Sequence, residues 1–155
     1  MCNEMFCFQC QETMKGTGCT IAGVCGKKPA TASLQDLLVY TLKGVAAYSS
    51  QLRKVFNTDQ LLKTTDKYLI NSLFITITNA NFDNEAIINE IKHGLKLRSE
   101  VKDALIKKGA ALDPKFENIQ LTTWSYTSDE ELMKFSKHHD IGVLRTDNED
   151  VRSLR

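Results

Sequence analysis

Four of the five cysteines lie within a short glycine-rich segment near the N-terminus. They have the spacing C-x2-C-x8-C-x5-C and are Cys7, Cys10, Cys19 and Cys25. The glycines between them allow the backbone to turn tightly around a compact object and to direct N–H groups toward it. Four thiolates held this close together repel one another, so a bound cation has to compensate their charge. The segment therefore predicts a metal centre, around which the rest of the chain must fold.

Two kinds of centre are typical of four clustered thiolates, namely a single zinc ion and an iron–sulfur cluster. Structural zinc sites commonly use two short-spaced pairs of ligands, and only Cys7 and Cys10 form such a pair here. A 4Fe–4S cube is wider than one ion, so the longer gaps before Cys19 and Cys25 favour the cluster. We predict a 4Fe–4S cofactor and keep a zinc-stapled helical interaction module as an alternative.

The fifth cysteine, Cys2, offers a rival spacing. Together with Cys7 and Cys10 it gives C-x4-C-x2-C, the spacing of the first ligands of plant-type ferredoxins. Those ferredoxins are built around β-strands, whereas this chain has a helical pattern. A thioredoxin-like interpretation of "CFQC" would likewise need a βαβ unit, and none is predicted. We interpret Cys2 as a thiol that binds no metal.

The chain after the cysteines is predicted to form three long helices. The first covers 32–56 with Ser33 as its N-cap, and the second ends at 79–81. The third begins after the cap Asp83 and ends at Gly109. The end of the second, "LFITITNAN", is rich in β-branched residues, but no partner strand is predicted nearby. The apolar positions that define the second and third helices are Leu61, Leu62, Leu69, Leu73, Phe74, Ile77, Ile87, Ile88, Ile91, Leu95, Val101, Leu105 and Ile106.

Short turns between these helices predict an antiparallel three-helix bundle. Beyond it, the segment containing Pro114 and Trp124 is predicted to be irregular and packed over the bundle. Ser128 and Glu131 form a capping box that starts another helix, which ends near 138–140. The last residues, "TDNEDVRSLR", carry a helix start without a stop signal, which we interpret as an indication that the chain is a piece of a longer protein.

The predicted fold is thus all-α, in three parts. Residues 1–30 form a cysteine-rich cluster-binding loop, 31–109 form the bundle, and 110–155 form an irregular segment with short helices that leads into a missing C-terminal region.

Charge and composition exclude several classes of partner. With 20 basic and 19 acidic side chains mixed along the chain, the net charge is +1, and no one-signed field exists to attract nucleic acid or a membrane surface. The N-terminus is not a secretory signal, and no stretch is apolar enough for a membrane span. We therefore expect a cytoplasmic protein with reduced thiols, where clustered cysteines bind metal or do redox chemistry.

Four segments carry a resemblance to a known family: "FCFQCQET", "GCTIAGVCGK", "LQDLLVYTLKGVAAY" and "GVLRTDNEDVRSLR". They resemble the N-terminal part of the hybrid-cluster proteins, also called prismane proteins or hydroxylamine reductases. The cysteine spacing is similar to that of the subgroup with a simple 4Fe–4S cluster. The resemblance implies that Cys7, Cys10, Cys19 and Cys25 are its four ligands.

The resemblance also implies that electron transfer and catalysis take place in different domains. In that family the catalytic hybrid 4Fe–2O–2S cluster, which reduces hydroxylamine to ammonia or acts on nitric oxide, takes its ligands from later domains. Residues 1–155 would then transfer electrons, contain no catalytic residue, and interact with the remaining domains and with a redox protein that donates electrons. A cysteine redox sensor is a further alternative.

The histidines of the chain and the lysines near the cysteines are predicted to have no role in metal binding. His93 is predicted to be a solvated surface residue, and His138 and His139 are predicted to stabilise a helix C-terminus. Lys15, Lys27 and Lys28 could offset the negative charge of a cluster and attract an acidic redox partner, but we interpret all three as surface lysines that solvate the loop.

Overall fold

The computed structural model describes residues 5–57, 60–78, 80, 82–138, 140–142, 148 and 150. Within these ranges it contains six α-helices and no β-strand, which confirms the all-α prediction. The helices are α1 (Pro29–Val55), α2 (Gln60–Thr78), α3 (Asn84–Lys107), α4 (Pro114–Glu117), α5 (Gln120–Thr123) and α6 (Asp129–Phe135). Cys2, His139 and nearly all of the predicted last helix lie outside the described residues.

The helices α1 and α3 run in the same direction. Thr31 hydrogen-bonds Asn84 at a distance of 2.8 Å near the start of both helices. Toward their ends, Tyr48 and Leu105 belong to one buried apolar cluster. Both helices therefore lie side by side over most of their length, with α1 as the central element of the bundle.

The helix α2 runs in the opposite direction to its two neighbours. Arg53, near the end of α1, forms a salt bridge with Asp66, near the start of α2. Ser72, farther along α2, donates a hydrogen bond of 2.6 Å to Glu90 near the start of α3. Consecutive long helices are thus antiparallel, as the short turns between them predicted.

Of the predicted N-caps of α1 and α3, the structure confirms the one on α3 and contradicts the one on α1. Asp83 accepts hydrogen bonds from two backbone N–H groups in the first turn of α3, as predicted. The prediction of Ser33 as the first cap was wrong, because α1 already begins at Pro29, with Lys28 as the N-cap, and Ser33 is buried inside it. Proline suits the first turn of a helix, where its missing N–H costs nothing.

The capping box at α6 is formed, with one difference. The Ser128 hydroxyl accepts a hydrogen bond of 3.2 Å from the Glu131 N–H. The Glu131 carboxylate, however, accepts from the N–H and the hydroxyl of Thr127, one residue before the cap. These two hydrogen bonds to Thr127 hold the pKa of the Glu131 carboxyl below its usual range. The helix ends at Phe135, three residues earlier than predicted.

The apolar stripe of α2 is only partly covered. Leu62 is buried in the bundle, but Leu73, Phe74 and Ile77 are 42%, 65% and 71% exposed. On α3 the predicted stripe is buried except at Ile88, which is half-buried, and at its end, where Ile106 is 55% exposed. Apolar periodicity therefore identified the correct helices but overestimated how much of each helix the bundle covers.

The segment after α3 packs over the bundle through a buried arginine. Its two short helices, α4 and α5, refine the prediction of an irregular segment. Arg98 on α3 is 6% exposed and donates hydrogen bonds to the carbonyl groups of Leu121 and Trp124. Burial lowers the pKa of the Arg98 guanidinium below its ordinary value. Two backbone acceptors that would otherwise lack donors are thus satisfied at this interface.

A glycine on α1 permits this close approach. A Cβ atom built at Gly44 would lie 2.5 Å from the carbonyl oxygen of Leu121 and 3.3 Å from Arg98. Overpacking costs about 1–3 kcal/mol, and a contact this short with a backbone atom places the cost toward the upper end. After subtraction of the roughly 1 kcal/mol that alanine gains over glycine in a helix, we expect Gly44→Ala to lower the free energy of unfolding by about 1–2 kcal/mol. Denaturant unfolding followed by circular dichroism measures it.

The matched control is Asn89→Ala, at an exposed position of α3. It should leave the free energy of unfolding unchanged or slightly higher, because alanine is the better helix former. A Gly44→Ala chain as stable as the unmodified chain would contradict the close packing of α1 against the segment around Leu121.

Of the described helices, none combines the length and the apolarity that a membrane crossing requires.

Candidate metal centre

A backbone bridge pairs two of the four predicted ligands. The Cys7 N–H donates to the Cys19 carbonyl at 3.0 Å, and the Cys19 N–H donates to the Cys7 carbonyl at 2.9 Å. Residues that exchange both hydrogen bonds in an antiparallel pair project their side chains to the same face. The bridge therefore brings the thiols of Cys7 and Cys19 together on one side of the loop.

A small apolar cluster attaches this bridge to the start of α1. Met5 and Cys19 are buried against Ala32, with Cys7 packed at the edge of the cluster. The Met5 N–H also donates to the Thr20 carbonyl at 3.3 Å, which extends the pairing by one hydrogen bond. The position of the bridge is thus set by packing against the bundle as well as by its own hydrogen bonds.

Two glycines allow the loop to pack closely around its cysteines. Gly18 has a φ of +113°, and a Cβ there would lie 2.8 Å from the Phe6 ring. A Cβ at Gly23 would lie 3.0 Å from the Cys25 sulfur. The predicted role of the glycines in a tight loop is therefore observed at these two positions, where any larger residue would displace an aromatic ring or a thiol.

The four thiols differ in exposure, and none is in a disulfide. Cys19 is buried, Cys7 is half-buried, and Cys10 and Cys25 are exposed. Two sulfur atoms thus belong to the packed base of the loop, while two lie on its solvent side. Such a set can approach a bound group from both sides.

An open cavity lies beside Cys10. Its volume is about 420 Å³, and it is lined by Phe8, Gln9, Cys10, Gln11, Thr13 and Gly16. The Thr13 hydroxyl is buried and finds no hydrogen-bond partner among the described residues. Buried polar groups in native proteins normally have a partner, so a hydroxyl without one indicates space for a group that can accept its hydrogen bond.

The donor set of the loop suits a thiolate-ligated metal centre. A single zinc ion needs its thiolate sulfurs at about 2.3 Å from one point, whereas a cubane spreads them over the corners of a wider body. In the part of the chain that the structure describes, no three His, Cys, Asp or Glu side chains are close enough to hold one ion. The loop therefore provides four thiol donors, the glycine turns and an open cavity, without a preformed single-ion site.

The prediction that Lys27 is a surface residue was wrong. Its side chain is only 1% exposed, and its amine lies 3.6 Å from the Cys7 sulfur and 2.7 Å from the Gln9 amide oxygen. The signal that could have indicated this lies in the flanking glycines, because a turn closed from Gly23 to Lys27 directs the chain back toward the loop. The neighbouring Lys28 is exposed, as predicted.

The two described histidines, His93 and His138, belong to α3 and to the residues just after α6 rather than to the loop. His93 is exposed, as predicted, and its ring packs edge-on against Tyr68 with 4.9 Å between ring centroids. His138 is exposed just beyond the end of α6, where its ring nitrogen lies 3.7 Å from an Asp140 carboxylate oxygen. Neither residue is part of a group of described side chains that could hold an ion.

Comparison with known proteins identifies relatives along the whole chain. It is 45% identical to a hydroxylamine reductase of Caldanaerobacter subterraneus subsp. tengcongensis, over 98% of this chain and 27% of the relative. It is 48% identical to a hydroxylamine reductase of Desulfitobacterium hafniense, over 98% of this chain and 26% of the relative. It is 42% identical to one from Clostridium botulinum, over 98% of this chain and 30% of the relative.

The chain therefore spans between about a quarter and a third of the curated relatives it matches. A family model described as the Prismane/CO dehydrogenase family matches residues 5–155, which include the cysteine loop and all six helices. The resemblance inferred from the cysteine motif is confirmed by this match, and the chain belongs to the Prismane/CO dehydrogenase family.

Proposed function

We propose that this chain is the iron–sulfur electron-transfer part of a hydroxylamine reductase. In this proposal Cys7, Cys10, Cys19 and Cys25 hold a 4Fe–4S cluster, and residues 1–30 are its binding loop. Support comes from the family membership, from relatives that are named hydroxylamine reductase, and from the four thiols of the loop. When bound, such a cluster accepts and passes on single electrons.

The observation that carries the proposal is the bridge between Cys7 and Cys19. Its two backbone hydrogen bonds make Cys7 and Cys19 an antiparallel pair, so both thiols face the same side of the loop, as two ligands of one group must. Cys10 and Cys25 lie on exposed turns and can adjust to complete the ligand set. The buried Lys27 amine, 3.6 Å from the Cys7 sulfur, also places a positive charge beside a site where thiolate ligands would carry negative charge.

The proposal assigns catalysis elsewhere. We infer that the reduction of hydroxylamine or nitric oxide takes place at a hybrid cluster in further domains, and that these 155 residues contain no catalytic residue. The partners of the chain are then those remaining domains and a redox protein that supplies electrons. The reducing cytoplasm, where thiols stay available for iron, is the compartment that suits this chemistry.

The composition of the bound metal tests the proposal. We expect protein prepared without oxygen to be brown and to contain about four irons and four acid-labile sulfides per chain, the content of a cubane. Iron, zinc and sulfide assays on the same sample, together with the visible spectrum, measure this directly.

Each alternative has its own signature in these assays. A colourless chain with one tightly bound zinc would refute the proposal in favour of a zinc-stapled module. A chain without metal, whose thiols oxidise reversibly, would favour a cysteine redox sensor instead.

A further inference from the structure

The buried lysine of the loop is placed against a proposed ligand. The Lys27 amine lies 3.6 Å from the Cys7 sulfur, and its second polar neighbour, the Gln9 amide oxygen, is 2.7 Å away. Lysine is almost never fully buried unless it is paired. The side chain also lines a cavity of about 120 Å³ beside Cys7, whose wall contains the apolar side chains of Phe6, Phe8 and Val39 and also Asp36. The buried amine of Lys27 is thus held beside the half-buried Cys7 sulfur, with apolar side chains on one side of the cavity.

The backbone holds the lysine in this position. The Gly23 N–H donates to the Lys27 carbonyl at 2.8 Å, and the Gly26 N–H donates to the Gly23 carbonyl at 2.9 Å, which closes a tight turn. A Cβ at Gly23 would lie 2.9 Å from the Lys27 Cβ, so the turn leaves no room for a side chain there. Lys27 is followed directly by the start of α1, which anchors it to the bundle. The fold therefore fixes the backbone from which the Lys27 amine extends, whereas an exposed lysine side chain would adopt many conformations.

We propose that Lys27 is a positioning residue that raises the reduction potential of the cluster through its contact with the Cys7 sulfur. This inference rests on the function proposed above. One added electron makes the site more negative by one charge, and no bond is formed or broken. A fixed cation that donates to a ligand sulfur stabilises the more negative state more than the oxidised one. The effect is strengthened by the burial of Lys27, since charges interact more strongly away from water.

The test compares neutral and charged variants of the 155-residue chain loaded with iron and sulfide. In Lys27→Met the stem is kept and the charge is removed, and in Lys27→Arg the charge is kept. Lys28→Met is the matched control, because it removes the same charge from the adjacent exposed residue. Each chain is titrated with dithionite in the presence of mediators, and the reduced fraction is followed by electron paramagnetic resonance.

At a fixed applied potential, we expect Lys27→Met to lower the ratio of reduced to oxidised cluster at least tenfold. A tenfold change corresponds to about 59 mV for one electron. Lys27→Arg keeps the positive charge, so its ratio of reduced to oxidised cluster should stay close to that of the unmodified chain. Lys28→Met should change it less than twofold, because exposed charges are screened by water and salt.

The iron and sulfide content, measured first, separates two kinds of failure. If the unmodified chain binds no cluster, the proposed function fails. If Lys27→Met loads normally and has the same midpoint potential as the unmodified chain, only the inference about Lys27 is overturned. Lys27→Gln is the second neutral variant. If both neutral variants lose their iron while Lys27→Arg and Lys28→Met retain it, Lys27 serves assembly of the centre, and its assignment to the potential is equally overturned.

Discussion

Cys10→Ala is expected to reduce the iron content of the chain from about four per molecule to near zero, because a cubane needs all four thiolates for stable attachment. This variant is the cleanest of the four ligand substitutions. Cys10 is exposed, so its removal leaves no cavity in the packed part of the protein. Iron and sulfide assays after anaerobic purification, with the visible spectrum, give the result.

Cys19→Ala should have the same effect on iron, but it also removes a buried side chain at the base of the loop. Ile21→Ala, at a loop position that is 65% exposed, controls for general disturbance of the loop and should retain the full iron content. Cys2→Ala should also retain it. If Cys2→Ala bleached the protein while Cys10→Ala stayed brown, the ligand set proposed from the cysteine spacing would be wrong.

The helices could be predicted because their signals are local. Apolar spacing indicated all three long helices, and the side chain of Asp83 marks the start of α3 as its cap. The start of α1 was missed because Ser33 has the chemistry of a cap, whereas Pro29 stands in the first turn without any side-chain cap. A cap residue is only effective where the chain enters the helix, and the predicted cap Ser33 lies five residues after the observed N-cap, Lys28.

Burial was harder to predict because it depends on what packs against each face. The sequence of α2 shows an apolar stripe that continues through Phe74 and Ile77, and both side chains are exposed in the described chain. Periodicity identifies a helix face but not the element that covers it. The same limit applies to Lys27, whose charge suggested the surface, whereas the turn at Gly23 brings its stem into the apolar wall beside Cys7.

The cysteine loop was predictable in composition but not in arrangement. The spacing singled out Cys7 and Cys10 as the obvious pair, yet the backbone pairs Cys7 with Cys19, twelve positions along the chain. Such a bridge is a non-local contact, and the glycine-containing turn at Met14–Gly16 between the two residues does not specify which cysteines pair. The nature of the bound group stays a prediction from the donor chemistry and the family.

Removal of the metal is expected to loosen the loop and leave the bundle folded. The buried apolar clusters of the bundle are formed by residues of α1, α2, α3 and the segment that follows them. The described loop contributes only Met5 and Cys19 to a small separate cluster, which contains Ala32 from α1. Most of the apolar burial that stabilises the protein is therefore independent of the centre.

After treatment with an iron chelator under reducing conditions, helical circular dichroism should stay nearly unchanged. Amide hydrogen exchange in residues 5–28 should accelerate strongly, because the few backbone hydrogen bonds around the Cys7–Cys19 bridge then open locally, with a cost well below that of global unfolding. The same treatment of Cys10→Ala, which is expected to hold no cluster, should change neither measurement. Cooperative loss of all helical signal on chelation would contradict this separation, since it would make the metal centre part of the folding core, as it is in small zinc domains that unfold without their ion.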